Sequence, residues 1–556
     1  MRKVQLLAMI SAAILLLSGC AQLPRSGEVK TGPDLKAGLT SDYLYYSPNG
    51  PTDGDNQTQI INGFLNAATG PQNDYQIARQ YLTTDFSSKW SPNDEVLIQE
   101  SRPELTMQDE TTARLVVKAV AQIDGVGIWT SYPGSQIRNL DFKLVKENNQ
   151  WRIMSAPNAT VLVKPVFDVL FKSYSLYFYD GQNKYLVPDL RWFSSRVSTG
   201  TRLVNALLKG PNRWLADSVN NSFPIGTKLA LDAVTVENGS AVVDLNAAAT
   251  KADKAARSRM LSQLTATLNQ LTNVFSVKIQ IDHNPQDISL QNSQLPYPSS
   301  YVPMILDAGG LRQVSQDLQK DKVSSIANRL RARDFGFSPD GGYLALSSSR
   351  GVDLARVNVL SSEVTKIDSR ADQLAPVIDN RNHIWTLPAK ASEAIQVHDI
   401  TGKLLFSSAG LLAQGEHLGY GVSREGARLA ILLKTKTGTA LYVAAINRDA
   451  QGLPTGIYSP RRVDLGLGTL KSVSWSGANS LAVIATGQTT GDVPTNILIG
   501  GGSSEMTALT DAVAMIAQTD SSSTYVLDGN GILFEYRGMS WIAVETEVKT
   551  AHFTGN

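Results

Sequence analysis

The chain opens on a short basic start, Arg2 and Lys3, followed by a mostly apolar run from Val4 to Leu17. That run is too short to span a bilayer comfortably and has the length of the apolar part of a secretory leader. From residue 20 to 57 apolar positions are scattered between Pro24, Gly27, Gly32, Pro33, Pro48, Gly50, Pro51 and Gly54, which predicts a tether. Tyr43, Tyr45 and Tyr46 depart from that pattern and are expected to dock on a domain, and Asp53-Gly54-Asp55-Asn56 reads as a solvated turn. Helical spacing follows. Thr58 is placed as the cap of a helix with Ile60, Ile61, Phe64, Leu65 and Ala68 on its inner face, stopped by Gly70 and Pro71. Asn73 or Asp74 is expected to cap a second helix carrying Tyr75, Ala78, Tyr81 and Leu82. The pattern then shortens to β-rich runs at 115–117, 119–120, 142–145 and 151–154, the last two joined by the hairpin signal Glu147-Asn148-Asn149.

Beyond residue 166 the two periods alternate. A strand at 175–179 turns at Asp180-Gly181 and returns at 185–188. A helix carries Leu203, Val204, Leu207 and Leu208, with Gly210 at its left-handed stop and Pro211 beyond. Strands at Leu229, 234–236 and 241–245 surround the turn Glu237-Asn238-Gly239. A long helix with Met260, Leu261, Leu264, Leu268 and Leu271 on one face leads to a strand at 277–282.

The last part repeats. Five segments share the order strand, tight polar turn, strand, and steps between anchors Ser338, Asp379, Ser423, Ser476 and Asp528 are 41, 44, 53 and 52 residues. A 40–50-residue period of short strands predicts a β-propeller, of five or six blades with the chain ends sharing one. In Ser338-Pro339-Asp340-Gly341, Asp340 is expected to bond back to its own loop while Gly341 takes positive φ. The Pro-rich stretch 295–300 before it predicts a propeller that folds independently. The fold class is therefore multidomain, α+β and then β: 1–19 leader, 20–57 tether, 58–165 an α+β unit resembling a cystatin cone, 166–290 an α/β unit, and 300–556 the propeller.

Chemistry enters through one residue. The chain of 556 residues has a single cysteine, Cys20, so no internal disulfide forms. It ends the apolar run in Leu17-Ser18-Gly19-Cys20, which resembles the bacterial lipobox. That resemblance makes Cys20 the lipidation site and the first residue of the mature protein. Two acyl chains anchor stably where one does not. The tether would let the domains reach on the order of 115 Å from the lipid.

Composition narrows the classes. Apolar residues make up 42% and charged residues 18%, as in globular domains with real cores. The formal net charge is +1 and no basic tract exists, so no nucleic-acid partner is expected. None of His283, His383, His398, His417 and His552 pairs with another at metal-ligand spacing, and no metal or cofactor is expected. Gly421-Val422-Ser423-Arg424-Glu425 has glutamate where a nucleophile elbow needs glycine, and it falls on a repeat turn. No catalytic residue is assigned, and the chain reads as non-enzymatic.

The ordered run LL-K-GP, FPIGT, NGSAVVDLN, SQLTATLNQL and VKIQID, over residues 175–283, resembles the GerMN domain of spore-germination and cell-envelope proteins. The resemblance implies an α/β fold and an extracytoplasmic setting. Gln263 sits where that family often has glutamine, and a bond to the sheet is preferred over a ligand role. The order lipobox, small α+β unit, GerMN-like unit and propeller, with LYFYDGQNKYLVPDLRWF at 176–193, is similar to the actinobacterial LpqB lipoproteins. That resemblance implies a cell-membrane lipoprotein on the extracytoplasmic side. It also implies a partner, the extracellular domain of a sensor histidine kinase in the MtrA–MtrB two-component pair, with an effect on cell-wall homeostasis and division. A scaffold for cell-wall synthesis and an envelope hydrolase are the alternatives. Only Cys20 carries over as a functional residue.

Overall fold

The computed structural model describes residues 48–553, apart from 71, 197, 291–301, 315–321, 358–362, 464–465, 467, 488–490 and 519–522. The leader, Cys20, the three tether tyrosines and the stretch 295–300 lie outside the described residues.

The N-terminal unit is a curved six-stranded sheet with helix α1 (Gln57–Ala67) on one face. Asn56, not Thr58, caps α1. Its side chain accepts from Gln59 N at 3.0 Å and the Gln59 side chain accepts from Asn56 N at 2.8 Å. This reciprocal box, worth about 0.5–2 kcal/mol, outcompetes a threonine two residues further in. Ile60, Ile61, Phe64 and Ala67 pack on Leu115, Val117, Phe142, Leu144 and Ile153. The expected second helix is a correction. Asn73, Asp74 and Tyr75 are left-handed (φ 47°, 54° and 59°), and only the four-residue α2 (Gln76–Arg79) follows. Burying Tyr75 to 2% exposure in the core decides that turn. Helix α3 (Thr84–Lys89), capped by Thr83, was not foreseen. The sheet runs 150–155, 129–147, 112–124, 95–99 and 160–163, with 104–107 paired to 112–124. Strand 95–99 is buried on both faces: Leu97 meets α1, and Val96 and Ile98 meet α4 (Lys164–Leu170). Asn148 and Asn149 supply the left-handed pair of the predicted hairpin.

In the second unit, 171–180 and 186–194 form an antiparallel pair, and 240–245 lies parallel to 276–281. Parallel neighbours need a crossover, and α6 (Lys254–Leu268), capped by Asp253, provides it. Before it, α5 (Thr199–Lys209) ends at Gly210 with φ 100°. Leu203, Val204, Leu207, Met260, Leu264 and Leu268 share one core with Val243, Leu245 and Ile279.

The C-terminal part is a ring of six sheets. Five are four-stranded, beginning at 334, 377, 416, 470 and 512, and a three-stranded sixth joins 304–306 and 311–313 to 550–552. The chain ends share that blade, as the repeat predicted. Apolar clusters fill each junction, including Leu306 with Phe335 and Ile305 with Tyr525, so the ring closes. One anchor is corrected. Ser338, Asp379 and Ser423 lie at turns between first and second strands and Ser476 lies in its first strand just before that turn, whereas Asp528 ends the second strand of blade five. The equivalent turn begins near Gln518, which restores a step of about 40 residues.

Candidate functional site

Cys20, the lipidation site that the lipobox resemblance implies, lies outside the described residues. The Ser-Pro-Asp-Gly turn forms as expected: Asp340 accepts from Ser338 Oγ at 2.5 Å and Gly342 N at 2.9 Å, and Gly341 has φ 70°. Those bonds hold the Asp340 carboxyl below its ordinary pKa. Gln263 is fully buried. Its Oε1 accepts from Ser222 N at 2.9 Å and its Nε2 donates to Tyr177 O at 2.8 Å, so it staples α6 to the sheet and the 221–223 loop. Ser423, in the elbow-like sequence, donates to Glu425 and accepts from Arg428 N, which commits its hydroxyl to the turn. Among the described residues no group of three His, Cys, Asp or Glu side chains is placed to hold a metal ion.

The dominant built feature is the seam between the units. The turn after strand 171–180 inserts into the propeller. Asp180 Oδ1 accepts from Lys184 N and Tyr185 N, and its Oδ2 accepts from Arg381 Nη2. Gln182 accepts from Arg381 Nε at 2.8 Å and donates to Ala450 O at 3.1 Å. Behind Arg381, Asp379 accepts from Arg448 Nη2 at 2.8 Å and Trp385 Nε1 at 3.0 Å. Burial alone would raise the Asp379 pKa, but Arg448 and the hydrogen bond from His383 outweigh it and hold the carboxyl well below its usual range.

A second weld centres on Arg428, which has no solvent exposure. It donates to Glu425 at 2.6 Å and Asn479 Oδ1 at 3.1 Å, lies over the Trp475 ring, and reaches Pro188 O of the second unit at 3.4 Å. Asn479 in turn donates to Ser175 Oγ at 2.8 Å. The N-terminal unit joins through aromatic rings. Trp129, Phe167 and Trp192 pack with centroids 5.3–5.6 Å apart. Trp192 Nε1 donates to Gly500 O at 2.9 Å, and Arg461 donates to Trp129 O at 2.9 Å. Gly501, at φ 108°, lies so close to the Trp129 indole that a Cβ there would fall 2.1 Å from Cγ. The sequence reading missed this seam: Asp180-Gly181 and Asp379-Asn380 each look like surface turns.

An open polar cleft of about 560 Å³ lies in the N-terminal unit, lined by Pro51, Arg79, Thr84, Ser87, Glu147 and Arg152 among others. Arg79 is tied to Asp74 at 2.6 Å, and Glu147 accepts from Thr84 N at 3.3 Å. The described end of the tether borders this cleft, where Tyr81 Oη donates to Asn49 O at 2.9 Å.

Family models match in the same order. "Lipoprotein LpqB, N-terminal domain" covers residues 50–168, "Sporulation and spore germination" covers 175–287, and "Lipoprotein LpqB beta-propeller domain" covers 309–552. Together with the fold they define the class: a multidomain lipoprotein in which a GerMN-like unit sits between an α+β unit and a propeller. The chain belongs to the LpqB lipoprotein family, whose two models alone span more than half of it. Proteins called Lipoprotein LpqB from Thermobifida fusca and Nocardia farcinica are each 26% identical. The alignments cover 86% of this chain and 87% of the first relative, and 95% and 93% for the second. The first GerMN domain of the sporulation protein GerM from Bacillus subtilis is similar over 23% of this chain and 93% of its own, at 21% identity and a TM-score of 0.19. No helix among the described residues is long and apolar enough to cross a membrane.

Proposed function

We propose that this lipoprotein is non-enzymatic, lipidated on Cys20 and held on the extracytoplasmic side of the cell membrane. There it binds and modulates the extracellular domain of a sensor histidine kinase of the MtrA–MtrB type, and so affects cell-wall homeostasis and division. The observation that carries a binding role is the seam. The buried Asp180–Arg381 ion pair crosses from the second unit to the propeller and fixes their relative orientation, backed inside the propeller by the Asp379–Arg448 and Glu425–Arg428 pairs. Such pairs contribute little net stability against apolar packing, and their use is orientation. A lipid tether adds local concentration at the membrane surface. The kinase as partner rests on family resemblance.

The test is a pull-down of the full soluble chain against the kinase's extracellular domain, with kinase phosphorylation compared in a deletion strain. Binding and an altered phosphorylation level are expected. Absence of both would replace this reading by the cell-wall scaffold, which the polar cleft at Arg79, Glu147 and Arg152 favours as a place for a polar ligand.

A further inference from the structure

The polar cleft of the N-terminal unit holds two opposite charges that do not meet. In the hairpin of strands 129–147 and 150–155, Arg152 lies opposite Val145, and Glu147 lies opposite Gln150. Side chains two positions apart on a strand share a face. Arg152 and Glu147 are therefore diagonal neighbours on one face, about 7–8 Å apart. Long side chains of opposite charge at that spacing are within reach of a salt bridge. Here each is drawn aside instead. Arg152 Nη1 donates to Trp151 O at 2.7 Å, and the Glu147 carboxylate accepts from Thr84 N at 3.3 Å and Thr84 Oγ1 at 3.4 Å. Among the described residues neither side chain forms an ion pair, and both are half-buried.

The gap between them is the cleft, whose volume of about 560 Å³ falls within the range of small-molecule sites, roughly 300–1,000 Å³. Its second arginine is a fixed wall. Arg79 donates Nε and Nη2 to Asp74, and Nη1 to the carbonyls of Ser87 and Trp90. Arg152, by contrast, keeps Nε and Nη2 uncommitted. Glu147 makes only long bonds, and a carboxylate has about four acceptor positions. Gln80 and Ser87 add neutral polar groups to the walls. No aromatic side chain lines the cleft among the described residues, so a sugar ring finds no stacking platform there.

We propose that this cleft binds a small zwitterion: an amino acid, or a short peptide with both ends free. The ligand's carboxylate takes the open edge of the Arg152 guanidinium, which is shaped for two parallel hydrogen bonds to a carboxylate. Its ammonium donates to Glu147. A ligand with one charge would leave the opposite charge of the cleft unmatched; a zwitterion bridges both. The proposal does not rest on the kinase reading, and its failure leaves that reading untouched.

The experiment is isothermal titration calorimetry of the full soluble chain with alanine and with trialanine, each beside its N-acetylated and its C-amidated form. Saturable heat is expected from at least one free compound in the millimolar range or below. Binding of alanine assigns the amino acid, and binding of trialanine alone assigns the peptide. Blocking either end should weaken binding at least about tenfold, the loss of one charge-assisted hydrogen bond. Arg152→Met should abolish the discrimination against the amidated form, and Glu147→Gln that against the acetylated form. Both variants should melt with the parent, because neither residue has an ion-pair partner to lose. No saturable heat from either free compound, blocked compounds that bind as well as free ones, or both variants binding like the parent overturns the site.

Discussion

Arg381 of the propeller and Asp180 of the second unit, 201 positions apart in sequence, meet in an ion pair with side chains 11% and 3% exposed. Removing one member of a buried pair leaves an uncompensated charge and costs about 3–5 kcal/mol. Asp180 also organises its own turn, so Arg381→Met is the cleaner probe of the seam. We expect Arg381→Met to lower the stability of the full chain and to couple with Asp180→Asn by about 0.5–3 kcal/mol in a double-mutant cycle. Strict additivity of the two changes would mean the pair is not closed in solution.

Asp379 makes the same region acid-sensitive. Its folded-state pKa is depressed, whereas an unfolded aspartate titrates near ~3.9. The folded chain therefore binds this proton more weakly. The resulting stability is complete above that unfolded value and is lost as pH falls through it toward the folded value. Below about pH 4 the parent should lose stability steeply. Asp379→Asn should be less stable at neutral pH and show a shallower slope in acid, read by denaturant melts across the range. An unchanged slope would exclude Asp379 as a source of the dependence.

Gln263 is a fully buried structural amide with both ends used. Gln263→Leu keeps the volume and strands a backbone donor and a backbone acceptor. At about 1–3 kcal/mol for each unsatisfied group, a clear fall in melting temperature is expected. A variant as stable as the parent would point instead to a role in binding a ligand.

How far the sequence reveals these features follows from their range. The α5 stripe Leu203, Val204 and Leu207 and its Gly210 stop were legible because helix periodicity and capping are local. So was the Asp340 turn, whose bonds span two residues. Asp528 was placed at the wrong turn because Asp-Gly chemistry is alike at both ends of a blade, and only its pairing with Ala512 separates them. The left-handed turn at Asn73–Tyr75 reads locally as a cap, and the tertiary burial of Tyr75 overrides it. The seam was illegible for the same reason: Asp180 and Arg381 each satisfy the rules of a surface turn until the other arrives.

Cys20→Ala tests the anchor. The lipobox sequence Leu17-Ser18-Gly19-Cys20 offers one thiol, and the chain has no other. The variant should appear in the soluble fraction or as an unprocessed precursor, judged by fractionation and intact mass. Membrane retention at the mature lipidated mass would remove Cys20 from the mechanism.

The ring closes through its own chain ends, and this sets what a propeller fragment must contain. Strand 304–306 pairs with 550–552 through Met304–His552, Ile305–Ala551 and Leu306–Thr550. Ile305 and Phe553 are buried against blade five, and His552 Nε2 lies 2.6 Å from Asp334 Oδ1 of blade one. Ending the chain at residue 548 removes this strand and exposes those apolar faces, each worth about 1.5–3 kcal/mol per large side chain. A fragment of 302–556 should melt cooperatively with a β-type circular dichroism signal. Its midpoint should lie below that of the full chain, because the Arg428 and Arg381 welds have lost their partners at Pro188 and Asp180. The fragment 302–548 should lose the cooperative transition. If 302–548 melted like 302–556, the end-strand pairing would not be what holds the ring shut.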